Sequence, residues 1–78
     1  MTRTPAGVTA RQFIKALHND GFALRRVRGS HHIYLRGSRR VIVAYHRLGD
    51  TFPVGTLKAM IADAGWTDAD LARLGLID

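Results

Sequence analysis

Phe22-Ala23-Leu24-Arg25-Arg26-Val27-Arg28-Gly29-Ser30-His31-His32-Ile33-Tyr34-Leu35-Arg36-Gly37-Ser38-Arg39-Arg40-Val41-Ile42-Val43-Ala44-Tyr45-His46 reads as strand, turn, strand, turn, strand. The runs Phe22–Val27, His31–Arg36 and Arg40–His46 are rich in β-branched and aromatic residues and follow a period of two. Arg28-Gly29-Ser30 and Gly37-Ser38-Arg39 are short enough for hairpin turns, so an antiparallel meander is expected.

Helical spacing flanks the sheet on both sides. Ala10, Phe13, Ile14 and Leu17 recur at i, i+3, i+4 and i+7, after Thr9 as N-cap and before the stop Asn19-Asp20-Gly21. A loop from Arg47 to Val54, broken by Gly49-Asp50 and Pro53, leads to a second helix expected over Thr56–Ala64 and ended by Gly65. Thr67-Asp68-Ala69-Asp70 resembles a capping box with Asp in place of Glu or Gln, and would open a short helix carrying Leu71 and Leu74. Trp66, Leu76 and Ile77 are expected to lock that tail to the body. The order α-β-β-β-α, with helices on one face of a three-stranded antiparallel sheet, is an α+β fold of the double-stranded-RNA-binding-domain type. Topology alone does not assign a function.

Composition narrows the classes. Seventy-eight residues make a single domain, expected over residues 9–78 behind a flexible lead-in at residues 1–8. No apolar run approaches the roughly 20 residues of a membrane span. The absence of cysteine removes disulfides and thiolate metal sites and suits a reducing cytoplasm. Walker, dinucleotide and Gly-x-Ser-x-Gly patterns are missing, and the histidines show no metal-ligand spacing, so neither cofactor nor metal is expected.

Charge is the strongest functional signal. The formal charge is +6, from ten Arg and two Lys against six Asp. Seven of the twelve basic residues (Arg25, Arg26, Arg28, Arg36, Arg39, Arg40 and Arg47) fall between Gly21 and Gly49 without one acidic residue among them. An Arg-rich genome explains the preference for Arg over Lys, but not why the acids avoid this stretch. Guanidinium forks match phosphate, so a polyanion such as RNA is the expected ligand.

Histidine adds chemistry to that surface, because it takes or gives a proton near neutral pH. RNA carries its own nucleophile, the 2′-hydroxyl, so strand cleavage needs only a base, an acid and cations around the phosphorane. His31 is the first candidate for proton transfer, and Gly29 and Ser30 before it let the backbone approach a phosphate. His46, at the end of a strand antiparallel to that of His31, is a second candidate. Side chains alternate along a strand. Sharing a face with Ile33 and Leu35 puts His31 at the rim of the apolar face, and leaves His32 and Tyr34 on the open one. The register is uncertain by one residue, so pattern alone leaves the faces open. On this reading Tyr34 is a stacking platform for a base, and Arg26, Arg28, Ser30, His32, Arg36 and Arg40 complete the nucleic-acid-binding set. His18 reads as surface. An exposed or carbonyl-bound structural role for His31 is the bland alternative, and a noncatalytic RNA-binding module is the corresponding rival function. A DNA-binding regulator is disfavoured because neither helix is basic along a face.

The chain resembles the HicA family of bacterial toxin–antitoxin systems from about Ala10 to Leu74. The likeness rests on Asn19-Asp20-Gly21-Phe22, Gly29-Ser30-His31-His32-Ile33-Tyr34, Val41-Ile42-Val43-Ala44-Tyr45-His46, Pro53-Val54-Gly55-Thr56-Leu57 and Ala62-Asp63-Ala64-Gly65-Trp66 in that order. The resemblance implies an mRNA interferase that cleaves transcripts without a metal, and a HicB-type antitoxin that covers its active site. The family's catalytic histidine, which follows Gly-Ser, falls on His31. His46 matches a recurrent histidine, and Trp66 replaces a commonly smaller residue in what reads as a packing position. An uncovered nuclease would harm its own cell, so an acidic-surfaced inhibitor is expected on physical grounds too. The free chain is expected to be a cytoplasmic monomer.

Overall fold

A computed structural model of the chain describes residues 4–77. Residues 1–3 of the expected lead-in lie outside the described residues, while Val8 is already part of the core at 5% exposure. The elements are α1 (Ala10–Asn19), β1 (Ala23–Arg28), β2 (His31–Arg36), β3 (Arg39–Ala44), α2 (Val54–Ala64) and α3 (Asp68–Arg73). The sheet is antiparallel in the order β1-β2-β3, as the two short turns require.

Thr9 caps α1 and forms a full capping box: its hydroxyl accepts from the Gln12 N–H at 3.2 Å, and the Gln12 side chain accepts from the Thr9 N–H at 2.9 Å. The next N–H groups donate to the β3–α2 loop, Ala10 to the Asp50 carbonyl (2.7 Å) and Arg11 to that of Leu48 (2.9 Å). The helix therefore ends up buttressed by the segment that follows β3. Gly21, at φ +86°, turns the chain out of α1 in a conformation that other residues adopt only with strain.

The bounds differ from expectation in three elements: β1 runs Ala23–Arg28 rather than Phe22–Val27, β3 runs Arg39–Ala44 rather than Arg40–His46, and α2 starts before Thr56. Helix α2 starts at Val54, because Pro53 occupies the N-cap position with φ −55° and its carbonyl accepts from the Leu57 N–H at 3.0 Å. Proline tolerates the first turn, where its missing donor is not needed. Strand β1 starts at Ala23, since Phe22 is drawn into the core at 2% exposure. Strand β3 ends at Ala44, because the chain bends at His46, where the Asp50 carboxylate accepts from the N–H groups of His46 and Arg47, each at 3.0 Å.

The core lies between the sheet and the helices. Phe13, Leu17, Val41, Val43 and Leu71 are fully buried, joined by Tyr34, Leu57, Met60, Ile61 and Trp66. Helix α2 packs on β3, whereas β1 is exposed along its whole length. A polar clasp closes the opposite end of the body. The Asp20 carboxylate, 8% exposed, accepts from Trp66 Nε1 (2.7 Å), Arg36 (2.8 Å) and Arg73 (2.8 Å). It ties the end of α1 to β2 and to the C-terminal helix. Trp66 meets Phe13 and Phe22 across its rings, which bears out the packing role read for it.

Candidate active site and nucleic-acid interface

The register decides which side chains reach solvent. His31 pairs with Arg28 on one side and Ala44 on the other, and Ile33 pairs with Arg26 and Ile42. These residues, with Leu35 and Arg40, form the open face of the sheet. Tyr34, Val41 and Val43 turn to the helices. The open face is therefore the one that carries His31, not the one that carries Tyr34.

His31 is exposed at the first position of β2, directly after the turn at Gly29 (φ +59°) and Ser30. A hollow of about 290 Å³ is lined by Arg28, His31, Ile33, Arg40 and Ile42. The guanidinium groups of Arg28 and Arg40 make no ion pair or hydrogen bond to any described residue. The imidazole thus stands at an aliphatic floor between two arginines with free donors. Such an arrangement can accommodate an anion, with a group capable of proton transfer beside it.

The other expected site residues part company here. Tyr34 is 3% exposed, and His18 meets its ring edge-on at a centroid distance of 5.7 Å. Burial, with the Tyr45 phenol adding to it, pushes the Tyr34 hydroxyl above its ordinary value. The expectation that Tyr34 offers its ring to a base is overturned, since β2 enters the sheet one step out of the phase inferred from Ile33 and Leu35. His32 moves with it to the helix side. Its Nδ1 lies 2.9 Å from the Ser30 carbonyl and 3.2 Å from that of Val43, so Nδ1 carries the proton and donates to these acceptors. Tyr45 stacks on the same ring, 4.0 Å between centroids and 13° between planes. His32 is therefore half-buried and engaged on ring and nitrogen, and it does not belong to the open face, contrary to the expectation that placed it in the nucleic-acid-binding set. Its hydrogen bond instead fixes the Ser30 carbonyl, which also accepts from the Tyr45 N–H at 3.1 Å. The turn that presents His31 is held by both.

Arg36 is likewise withdrawn from the phosphate-binding set. It donates to the Asp20 carboxylate and lies 4.9 Å over the Phe22 ring, on the helix side. His46 is exposed in the bend after β3, two residues beyond the partner of His31. Hydrogen bonds from the Arg47 and His46 N–H groups hold the Asp50 carboxyl below the ordinary carboxylate value, so this bend is clipped by an ionised group.

One member of the face escaped the sequence reading. The β1–β2 register shifts between Leu24 and Arg26, which makes Arg25 the extra residue of a bulge. Only the register reveals it: Leu24 and Val27 pair with Tyr34 and His32 on the helix side, and an odd spacing of three between them requires one additional residue.

Among the described residues no three His, Cys, Asp or Glu side chains gather as metal ligands, and no helix is long and apolar enough to cross a membrane. A family model described as HicA toxin of bacterial toxin-antitoxin matches residues 10–66. A search of curated proteins found no match to this chain.

Proposed function

The chain belongs to the HicA family of bacterial toxin–antitoxin toxins, and on that footing we propose that it is a metal-independent endoribonuclease, an mRNA interferase that inhibits translation. The observation that carries this reading is the exposed His31 imidazole in a hollow shared with Arg28 and Arg40.

A phosphodiester seated against the two guanidinium groups brings its ribose to the imidazole. His31 acts as general base on the 2′-hydroxyl; the 2′-oxygen attacks phosphorus, and the 5′-oxygen of the next nucleotide leaves with a proton. Arg28 and Arg40 offset the negative charge that builds on the nonbridging oxygens. His46 is the candidate donor of the leaving-group proton. The family implies an antitoxin partner. We assign it as a HicB-type protein whose acidic surface covers His31, with the toxin a cytoplasmic monomer once released and residues 9–78 its single domain.

The test is His31→Ala against purified RNA and in a growth assay. A single positioned general base is worth about 10²–10⁴-fold, so cleavage falls by that factor while RNA binding persists. Undiminished cleavage removes the mechanism. Binding without fragments from the wild-type protein instead identifies a noncatalytic RNA-binding module.

A further inference from the structure

The open face has a second hollow, of about 460 Å³, lined by Arg25, Arg26, Ile33, Leu35 and Arg40. It exists because of the bulge. A regular strand would send Arg25 and Arg26 to opposite faces, whereas a bulge lets consecutive side chains share one. None of its three guanidinium groups is paired with a described residue, and no acidic side chain lines the hollow. Its chemistry selects an anion with an apolar neighbour. A nucleotide fits that description, with phosphate against the arginines and base or ribose on Ile33 and Leu35.

The two hollows share Ile33 and Arg40, so they form one track across the sheet. We propose that the bulge hollow is a second phosphate subsite, which holds the backbone of the same RNA strand beside the nucleotide positioned at His31. This rests on the reading of the open face as an RNA-binding surface. The subsite makes the substrate a polynucleotide rather than any single phosphodiester, because Arg25 and Arg26 position the strand for reaction at His31. An acidic protein segment offers the same charge. RNA is favoured because the hollow continues into the one that contains the imidazole.

The experiment compares wild type with the Arg25→Ala/Arg26→Ala double variant in two arms. Both side chains are exposed and unpaired, so the variant keeps its fold. In the first arm an octanucleotide with 2′-O-methyl groups throughout, which the 2′-hydroxyl route cannot cleave, is titrated at several salt concentrations. The slope of log affinity against log salt should fall by roughly 0.7 for each phosphate that the variant no longer neutralises. In the second arm kcat/KM is measured for an octanucleotide and a dinucleotide of ordinary RNA, and the ratio between them should fall about tenfold in the variant. An unchanged slope and an unchanged ratio overturn the subsite. A weakened antitoxin complex with an unchanged RNA slope also overturns it, in favour of a protein-binding role. If wild type cleaves neither substrate but its slope still exceeds that of the variant, the subsite stands and only the nuclease reading falls.

Discussion

Replacing Asp20 with alanine tests what holds this small body together. The carboxylate is 8% exposed and accepts from Trp66 Nε1, Arg36 and Arg73 at 2.7–2.8 Å. Removing it leaves the indole N–H of Trp66, a residue only 4% exposed, without its acceptor. An orphaned buried donor costs about 1–3 kcal/mol. The two arginines are 41% and 51% exposed, so solvent screening limits each pair to at most about 1 kcal/mol. The expected loss is about 2–4 kcal/mol. Domains of this size hold roughly 4–12 kcal/mol in total, at about 0.05–0.15 per residue. At about 4–8 °C per kcal/mol the melting temperature should drop by roughly 8–32 °C. Asp20→Asn retains an acceptor for Trp66 and loses only the charge, so it should recover more than half of the deficit.

The same site fixes an acid dependence. Burial alone would raise the Asp20 carboxyl, but hydrogen bonds from Trp66 and Arg73, with the charges of Arg36 and Arg73, hold it below the ordinary value of 3.8. A depressed folded-state value contributes stability that is present above about 3.8 and lost as pH falls through the folded value. Urea unfolding of wild type and Asp20→Asn should therefore differ most near neutral pH and converge as the solution is acidified below that window. An Asp20→Ala variant within about 0.5 kcal/mol of wild type would refute the clasp, as would a wild-type-to-Asn gap that does not shrink in acid.

Gly65 ends α2 at φ +75°, and a Cβ there would meet only the Arg39 guanidinium, the far end of a flexible side chain that can swing aside; Gly65→Ala should therefore lose roughly the 1 kcal/mol of an ordinary left-handed alanine, with little recovered on adding Arg39→Ala, as read by thermal melts. His32→Ala frees the Ser30 carbonyl from one of its two donors and lets the turn before His31 drift. RNA cleavage should then fall through kcat by about 10²-fold at most with KM little changed, and His32→Asn, whose amide N–H can reproduce the Nδ1 donation, should restore part of it.

The turns, caps and core of α1 were legible because each depends on local chemistry: Thr9 before an apolar periodicity, Gly21 where φ is positive, Gly29 and Gly37 in the hairpins. The phase of β2 was not. Ile33 and Leu35 on one side and Tyr34 with His32 on the other give two half-apolar faces, and local pattern does not rank them. The ranking comes from β3, where Val41 and Val43 are fully buried and pair with Tyr34 and His32, while Ile42 pairs with Ile33 on the open side at 40% exposure. It also comes from the helices, which offer His18 and the aromatic cluster to the Tyr34 side. The withdrawal of Arg36 was hidden for a similar reason, since its partner Asp20 lies 16 residues earlier and meets it only after folding.

The pleat of one strand accounts for the division of labour between adjacent histidines. His32 has its Nδ1 committed to carbonyls and its ring covered by Tyr45, which leaves it as support for the turn. His31, one residue earlier, is exposed on the opposite face and has its imidazole open to solvent. The arginines divide in the same way. Arg36 is bound to Asp20, and Arg39 donates to the Asp63 carbonyl beside Gly65, which engages two of the basic cluster on the helix side of the sheet. Arg25, Arg26, Arg28 and Arg40 stay unpaired around the two hollows, as far as the described residues go. A segregation of charge along the chain has thus become a segregation between faces of the sheet. On the function proposed above, RNA and an acidic antitoxin would compete for one surface, and covering the open face would inhibit without an allosteric change.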